Sequence, residues 1–132
     1  MKTKPWLTLE DARRMAAAAQ AEARANHWNV VIAICDDGGH LILLHRLDDV
    51  APISSTIAPA KARAAALGKR ETKLYEDMIN QGRAAFLSAP LDGMLEGGVP
   101  IIVDGHVVGA IGVSGVKSNE DAQIAKAGIA AL

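Results

Sequence analysis

The sequence predicts an α+β domain in which two β-hairpins merge into one antiparallel sheet and helices pack on it. Three observations lead there. Two pairs of short apolar runs are each joined by a turn in which aspartate precedes glycine, connections far too short for the crossover that a parallel sheet needs. Ala-rich segments with helical periodicity stand before, between and after those pairs. The resulting order of helix, hairpin, helices, hairpin, helix is not that of a doubly wound nucleotide-binding fold.

Each element follows from its residues. Thr8-Leu9-Glu10-Asp11 carries a capping signal, with the Thr8 hydroxyl placed to accept a free backbone N–H and the acids facing the positive helix end. Leu9, Ala12, Ala16, Ala19 and Ala23 recur on one face of the helix it opens, and Asn26 is the stop. Val30 to Cys35, the turn Asp36-Asp37-Gly38-Gly39 and Leu41 to Leu44 read as the first hairpin. An Ala-rich helix follows from about Ser55 to Leu67, with Pro59 in its first turn or kinking it and Gly68 as its terminal glycine. A shorter helix spans about Thr72 to Gln81, ended by Gly82, and Ser88 to Gly98 reads as a loop. Asp104-Gly105 is the dipeptide of a type I′ turn between Val99–Val103 and His106–Val113. A tight two-residue turn sets Val103 opposite His106, Ile101 opposite Val108 and Gly97 opposite Gly112, the last pair leaving room for something to approach the backbone. The final helix runs from about Asn119 to Leu132, capped by Ser118 or Asn119, with Ala122, Ala125, Ile129 and Leu132 inward.

Composition narrows the function classes. The chain has 132 residues, half of them apolar, which suits one domain whose core forms without disulfides or metal. Fourteen basic and fifteen acidic residues leave a formal charge of -1, so no long-range field draws nucleic acid or anionic lipid. Two Trp, one Tyr and one Phe leave few stacking platforms for bases. No apolar run approaches the roughly 18 residues of a membrane span, and the first residues lack the apolar stretch of a secretory signal. With a single cysteine, Cys35, inside an apolar run, a reducing cytoplasmic setting is expected.

The chemically capable residues form no evident catalytic set. His40 and His45 are five apart on one strand, which sends them to opposite faces and rules out chelation of one ion. His27 after a helix end and His106 after a turn read as solvated or capping imidazoles, or as a single axial haem ligand. Haem would need one axial base, an apolar slot and a cation or amide for its propionates; without a Cys-x-x-Cys-His motif it would be held non-covalently. Cys35 reads as a small packed hydrophobe. Ser114, in Gly112-Val113-Ser114-Gly115-Val116, lacks the glycine two places on that a nucleophile elbow requires. Adjacent acids Asp36-Asp37 and Asp48-Asp49 suit turns rather than a catalytic pair. Glu96-Gly97-Gly98-Val99-Pro100 either positions a ligand through exposed backbone N–H groups or is a glycine turn entering an edge strand. Lys61 and Arg63, with Lys69 and Arg70 beyond them, either neutralise carboxylates on a ligand or form a solvated face, with Lys61 the first choice among them, so Lys61, Glu96, Gly97, Gly98 and Ser114 form the candidate small-molecule site.

Asp36-Asp37-Gly38-Gly39-His40-Leu41, Lys61-Ala62-Arg63, Ala65-Ala66-Leu67-Gly68, Arg70-Glu71-Thr72-Lys73, Leu95-Glu96-Gly97-Gly98-Val99-Pro100, Val103-Asp104-Gly105 and Gly109 to Gly115 with Asp121-Ala122-Gln123 together resemble the GlcG/HbpS family from end to end. The resemblance implies a profilin-like sandwich with about five antiparallel strands, symmetric homo-oligomers and binding of haem or a related tetrapyrrole, with one of His27, His40, His45 or His106 as axial ligand. It also opens two other readings: a protein acting on or sensing a small acid of glycolate metabolism, and an assembly partner without catalysis.

Overall fold

The computed structural model describes residues 1–132. In chain order its elements are α1 (Leu9–Ala25), β1 (Val31–Asp36), β2 (Leu41–Arg46), α2 (Ser54–Gly68), α3 (Lys73–Asn80), β3 (Gly98–Val103), β4 (His106–Ser114) and α4 (Ser118–Ile129), with one 3₁₀ segment at Ala84–Ser88 inside what reads as loop. The strands form one sheet in the order β2-β1-β4-β3, and every pairing is antiparallel. Four strands are thus present where the resemblance implied about five. No helix is long and apolar enough to cross a membrane.

The central strand β1 is buried on both faces, which is why Val30 to Cys35 is apolar without alternation. Val30, Ile32 and Ile34 meet Met15, Ala16, Ala19, Ile124 and Ala125, so α1 and α4 cover that face. Val31, Ala33 and Cys35 point the other way, to Ala58, Ala62, Ala65 and Ala66 of α2. Each fully buried Ile or Met contributes roughly 1.5–3 kcal/mol of apolar transfer.

The Thr8 capping box forms, with Asp11 N–H donating to the Thr8 hydroxyl and Thr8 N–H to the Asp11 carboxylate. These bonds hold the Asp11 carboxyl below its ordinary range. On the buried face, however, Met15 replaces Leu9, which is 46% exposed. The last helix likewise turns Asp121, Ile124 and Gly128 inward with Ala122 and Ala125, while Leu132 is exposed and Lys117 occupies the cap position.

Two glycines act differently from the expectation. Gly68 is still helical, and the left-handed C-terminal position belongs to Lys69 at φ 55°. Gly68 is small for Tyr75: a Cβ there would lie 1.5 Å from the Tyr75 hydroxyl. Pro59 lies past the first turn, inside a helix that continues through it.

Asp104 and Gly105 adopt φ 50° and 77°, the positive pair of a type I′ turn, and Val103 pairs with His106 as expected. A bulge then shifts the register: Ile102 pairs with Val107 and Ile101 with Gly109, which leaves Val108 as the extra residue. Gly98, not Gly97, therefore comes opposite Gly112. The room these glycines make is filled by α2. A Cβ on Gly112 would stand 2.1 Å from the Ala58 carbonyl oxygen, and one on Gly98 would stand 2.4 Å from that of Lys61.

Candidate functional site

Lys61 is enclosed by the same close approach. It is 3% exposed, and its Nζ donates to the Asp121 carboxylate at 3.1 Å and to the Val113 carbonyl at 2.9 Å. The other Asp121 oxygen accepts from Val116 N–H, so the pair joins α2, β4 and the start of α4. Burial outweighs the attraction of Lys61 and pushes the Asp121 carboxyl up to about 6. Gly97 packs on this pair, since a Cβ there would come within 2.7 Å of Lys61 Nζ. Gly98 N–H donates to the buried Thr72 hydroxyl at 2.8 Å, and Thr72 N–H donates to the Gly98 carbonyl at 3.0 Å. Ser114 is buried and donates to the Ser54 hydroxyl at 3.1 Å. The structure thus brings Lys61, Gly97, Gly98 and Ser114 to one end of the sheet, with Glu96 half-buried beside them, but as packed interior whose polar groups already have partners. None of the three main surface clefts is lined by these residues.

Signals for this arrangement were present but weak. Asp121 lies at helical spacing with Ile124, Ala125 and Gly128, an acid on an apolar face that calls for a buried cation. Cys35 is 1% exposed, and burial pushes its thiol up to about 12, so it is no nucleophile at neutral pH.

The histidines separate into two groups. His40 is outside the strand, its Nδ1 3.1 Å from Asp36, and His106 opens β4 opposite Val103. His27 and His45 converge on a cleft of about 820 Å³ between the C-terminal end of α1 and the edge strand β2. Gln20 and Arg24, one turn apart on α1, and His27 just beyond the helix end stand on one side of it, and β2 supplies Leu44, His45 and Arg46. Trp28 and Leu47, half-buried against the core, complete its apolar wall, while Asp48 and Asp49 stand at its rim. His27 is exposed at φ 58°, a left-handed turn that ends the helix and places its imidazole beside β2. No group of three His, Cys, Asp or Glu side chains is placed to hold a bare metal ion.

A family model described as haem degrading protein HbpS-like matches residues 7–130. The chain belongs to the HbpS-like family. Protein GlcG of Escherichia coli strain K12 is 58% identical over 114 residues, which cover 86% of this chain and 85% of that protein. The crystal structure of a double mutant of Streptomyces reticuli HbpS superposes with a TM-score of 0.89 at 30% identity, covering 100% of this chain and 90% of that one. A crystal structure of a PduOC–haem complex has a TM-score of 0.87 at 28% identity, covering 97% and 96% of the two chains. The HbpS-like sandwich of this chain therefore shares its fold with a protein solved holding haem.

Proposed function

We propose that this HbpS-like protein binds haem or a related tetrapyrrole, non-covalently, in the cleft between α1 and β2. The observation that carries the reading is the presence there of two imidazoles, His27 and His45, with the Arg24 guanidinium and a small apolar wall of Trp28 and Leu47, while Leu44 and Arg46 line the cleft from alternate positions of β2. Those are the three requirements of a non-covalent haem site: a nitrogen base for iron, a cation for the propionates and an apolar surface for the macrocycle. The haem-bound state of the PduOC relative supports the same reading. One imidazole would hold the iron and Arg24 the propionates, while the apolar wall keeps water from one face. Haem, when bound, would supply a redox-active iron, and no residue of this chain is assigned a catalytic role.

Hemin titration of the purified protein tests it. Saturable binding with a shifted Soret band, lost in the His27→Ala/His45→Ala double variant, is the expected result. Absorbance that never saturates and is unchanged in that variant would overturn it.

The small-acid reading keeps little of its original basis, because Lys61 is neutralised by Asp121. A thermal-shift screen of glycolate and glyoxylate would revive it only through a response that is lost in Arg24→Ala or Arg46→Ala. Symmetric homo-oligomers, as the family resemblance implies, complete the proposal, and sedimentation velocity reads their size.

A further inference from the structure

The two histidines of the cleft are not equivalent, because only His45 is held by a chain of side-chain hydrogen bonds. The chain starts at Arg24, whose guanidinium can donate and never accept. The Gln20 amide must therefore turn its oxygen to Arg24, accepting at 2.8 and 3.2 Å, and its nitrogen then faces His45 Nδ1 at 3.3 Å. An amide NH₂ is itself only a donor, so Nδ1 must be the accepting, unprotonated nitrogen. A neutral ring has a single N–H, and it consequently sits on Nε2. The Gln20–Arg24 bond lies within α1, four residues apart, whereas the Gln20–His45 bond bridges α1 and β2, with His45 on the strand position paired with Ile32. No such partner engages the ring of His27.

We propose that Arg24, acting through Gln20, holds His45 as an Nε2–H donor, so that His45 grips an acceptor on the ligand and leaves iron ligation to His27. A nitrogen that carries a proton cannot bind a metal, whereas beside Arg24 it adds a second donor suited to a carboxylate. The cleft is then divided, with a carboxylate end at Arg24 and His45 and an iron-facing base at His27. Gln20 is a positioning residue. The assignment of iron rests on the tetrapyrrole reading, but the tautomer of His45 does not.

Two measurements decide it. In ¹⁵N–¹H long-range NMR spectra of the ligand-free protein at about pH 8, His45 is expected as the Nε2–H tautomer. Gln20→Leu should relax it to a mixture, and Gln20→Glu, whose carboxylate only accepts, should move the proton to Nδ1. In hemin titrations, His27→Ala is expected to lose the spectral signature of imidazole ligation. His45→Ala should keep that signature and weaken binding about tenfold, as for loss of one charge-assisted hydrogen bond. An Nδ1–H tautomer in the unmodified protein, or a tautomer indifferent to Gln20→Leu, would overturn the chain from Arg24. Loss of imidazole ligation in His45→Ala alone would overturn the division of roles. Absence of any hemin binding removes the iron assignment along with the tetrapyrrole reading, and the NMR result still decides the tautomer.

Discussion

Replacing Lys61 with methionine keeps most of the side-chain stem and deletes the ammonium that sits 3.1 Å from Asp121 and 2.9 Å from the Val113 carbonyl. Both charged side chains are 3% exposed, so water cannot take over. Stranding one member of a buried pair costs about 3–5 kcal/mol, a large part of the roughly 5–15 kcal/mol that holds a domain together. Asp121 has a way to lower that cost. Burial already lifts its carboxyl to about 6, and loss of Lys61 lifts it further, so in mild acid it takes up a proton and becomes neutral. The deficit of Lys61→Met should therefore shrink between about pH 8 and about pH 5. Asp121→Asn strands the ammonium instead, which stays charged throughout that range, and its deficit should persist. The double variant Lys61→Met/Asp121→Leu leaves no buried charge and should recover to within about 1–2 kcal/mol of the parent. Urea unfolding followed by far-ultraviolet circular dichroism at both pH values reads all four proteins. A loss below about 1 kcal/mol for Lys61→Met at about pH 8 would refute the picture of two desolvated charges, as would a deficit that ignores pH.

Gly112→Ala places a Cβ 2.1 Å from the Ala58 carbonyl oxygen and 2.5 Å from Ala62 N. It should lower stability by about 3 kcal/mol or more, or prevent folding, by prising α2 off the sheet. Gly105→Ala meets nothing within 4 Å and carries only the strain of φ 77°, so thermal melts should show a loss of about 1 kcal/mol. Cys35, with its thiol pushed up to about 12 inside the core, should not react with a thiol reagent at neutral pH until urea unfolds the chain. In acid the signs oppose one another. The raised Asp121 carboxyl contributes stability fully present below 3.8 and lost as pH rises through about 6. The carboxyls of Asp11 and Asp36 are held low. Asp11 is held there by bonds from Thr8, and Asp36 by N–H groups of His40 and Gly38 that outweigh the effect of burial, so both contribute above 3.8 and lose that contribution as pH falls. The Asp11→Asn and Asp36→Asn variants should each flatten the acid limb of a pH–stability profile, and Asp121→Asn should steepen it.

What could be read along the chain and what could not divide by the range of the interaction. The Thr8 cap, the Asp104-Gly105 turn and the strand runs are decided by residues within a few positions of each other, and they stand where local chemistry puts them. The register of the second hairpin slipped by one because a bulge at Val108 has no composition of its own, and the slip exchanged Gly98 for Gly97 opposite Gly112. The pairing of Lys61 with Asp121 spans 60 positions, so Lys61 looked like a cation free to meet a ligand, and the glycines around it looked like vacant space. The room belongs to a helix backbone. Glycine in a strand signals close approach without saying whether a ligand or another segment makes it.

The cleft shows the same division in finer detail. The odd spacing of His40 and His45 assumed one strand carrying both, whereas β2 begins at Leu41 and His40 belongs to the turn, its ring beside Asp36. Which distant side chain meets His45 is set by how α1 overhangs the sheet edge, and that depends on Met15, Ala16 and Ala19 seating α1 against β1. Gln20 and Arg24 belong to the polar side of that helix, which by periodicity alone reads as solvated. The seating of α1 turns two unremarkable surface residues into the groups that fix where the proton of His45 lies. A substitution that shifts α1 without touching the cleft, such as Met15→Ala, should therefore disturb the His45 tautomer as well as cost about 2–5 kcal/mol of stability. If His45 kept its Nε2–H resonance in a folded Met15→Ala protein while the α1 resonances moved, the polar chain would be independent of the core beneath α1.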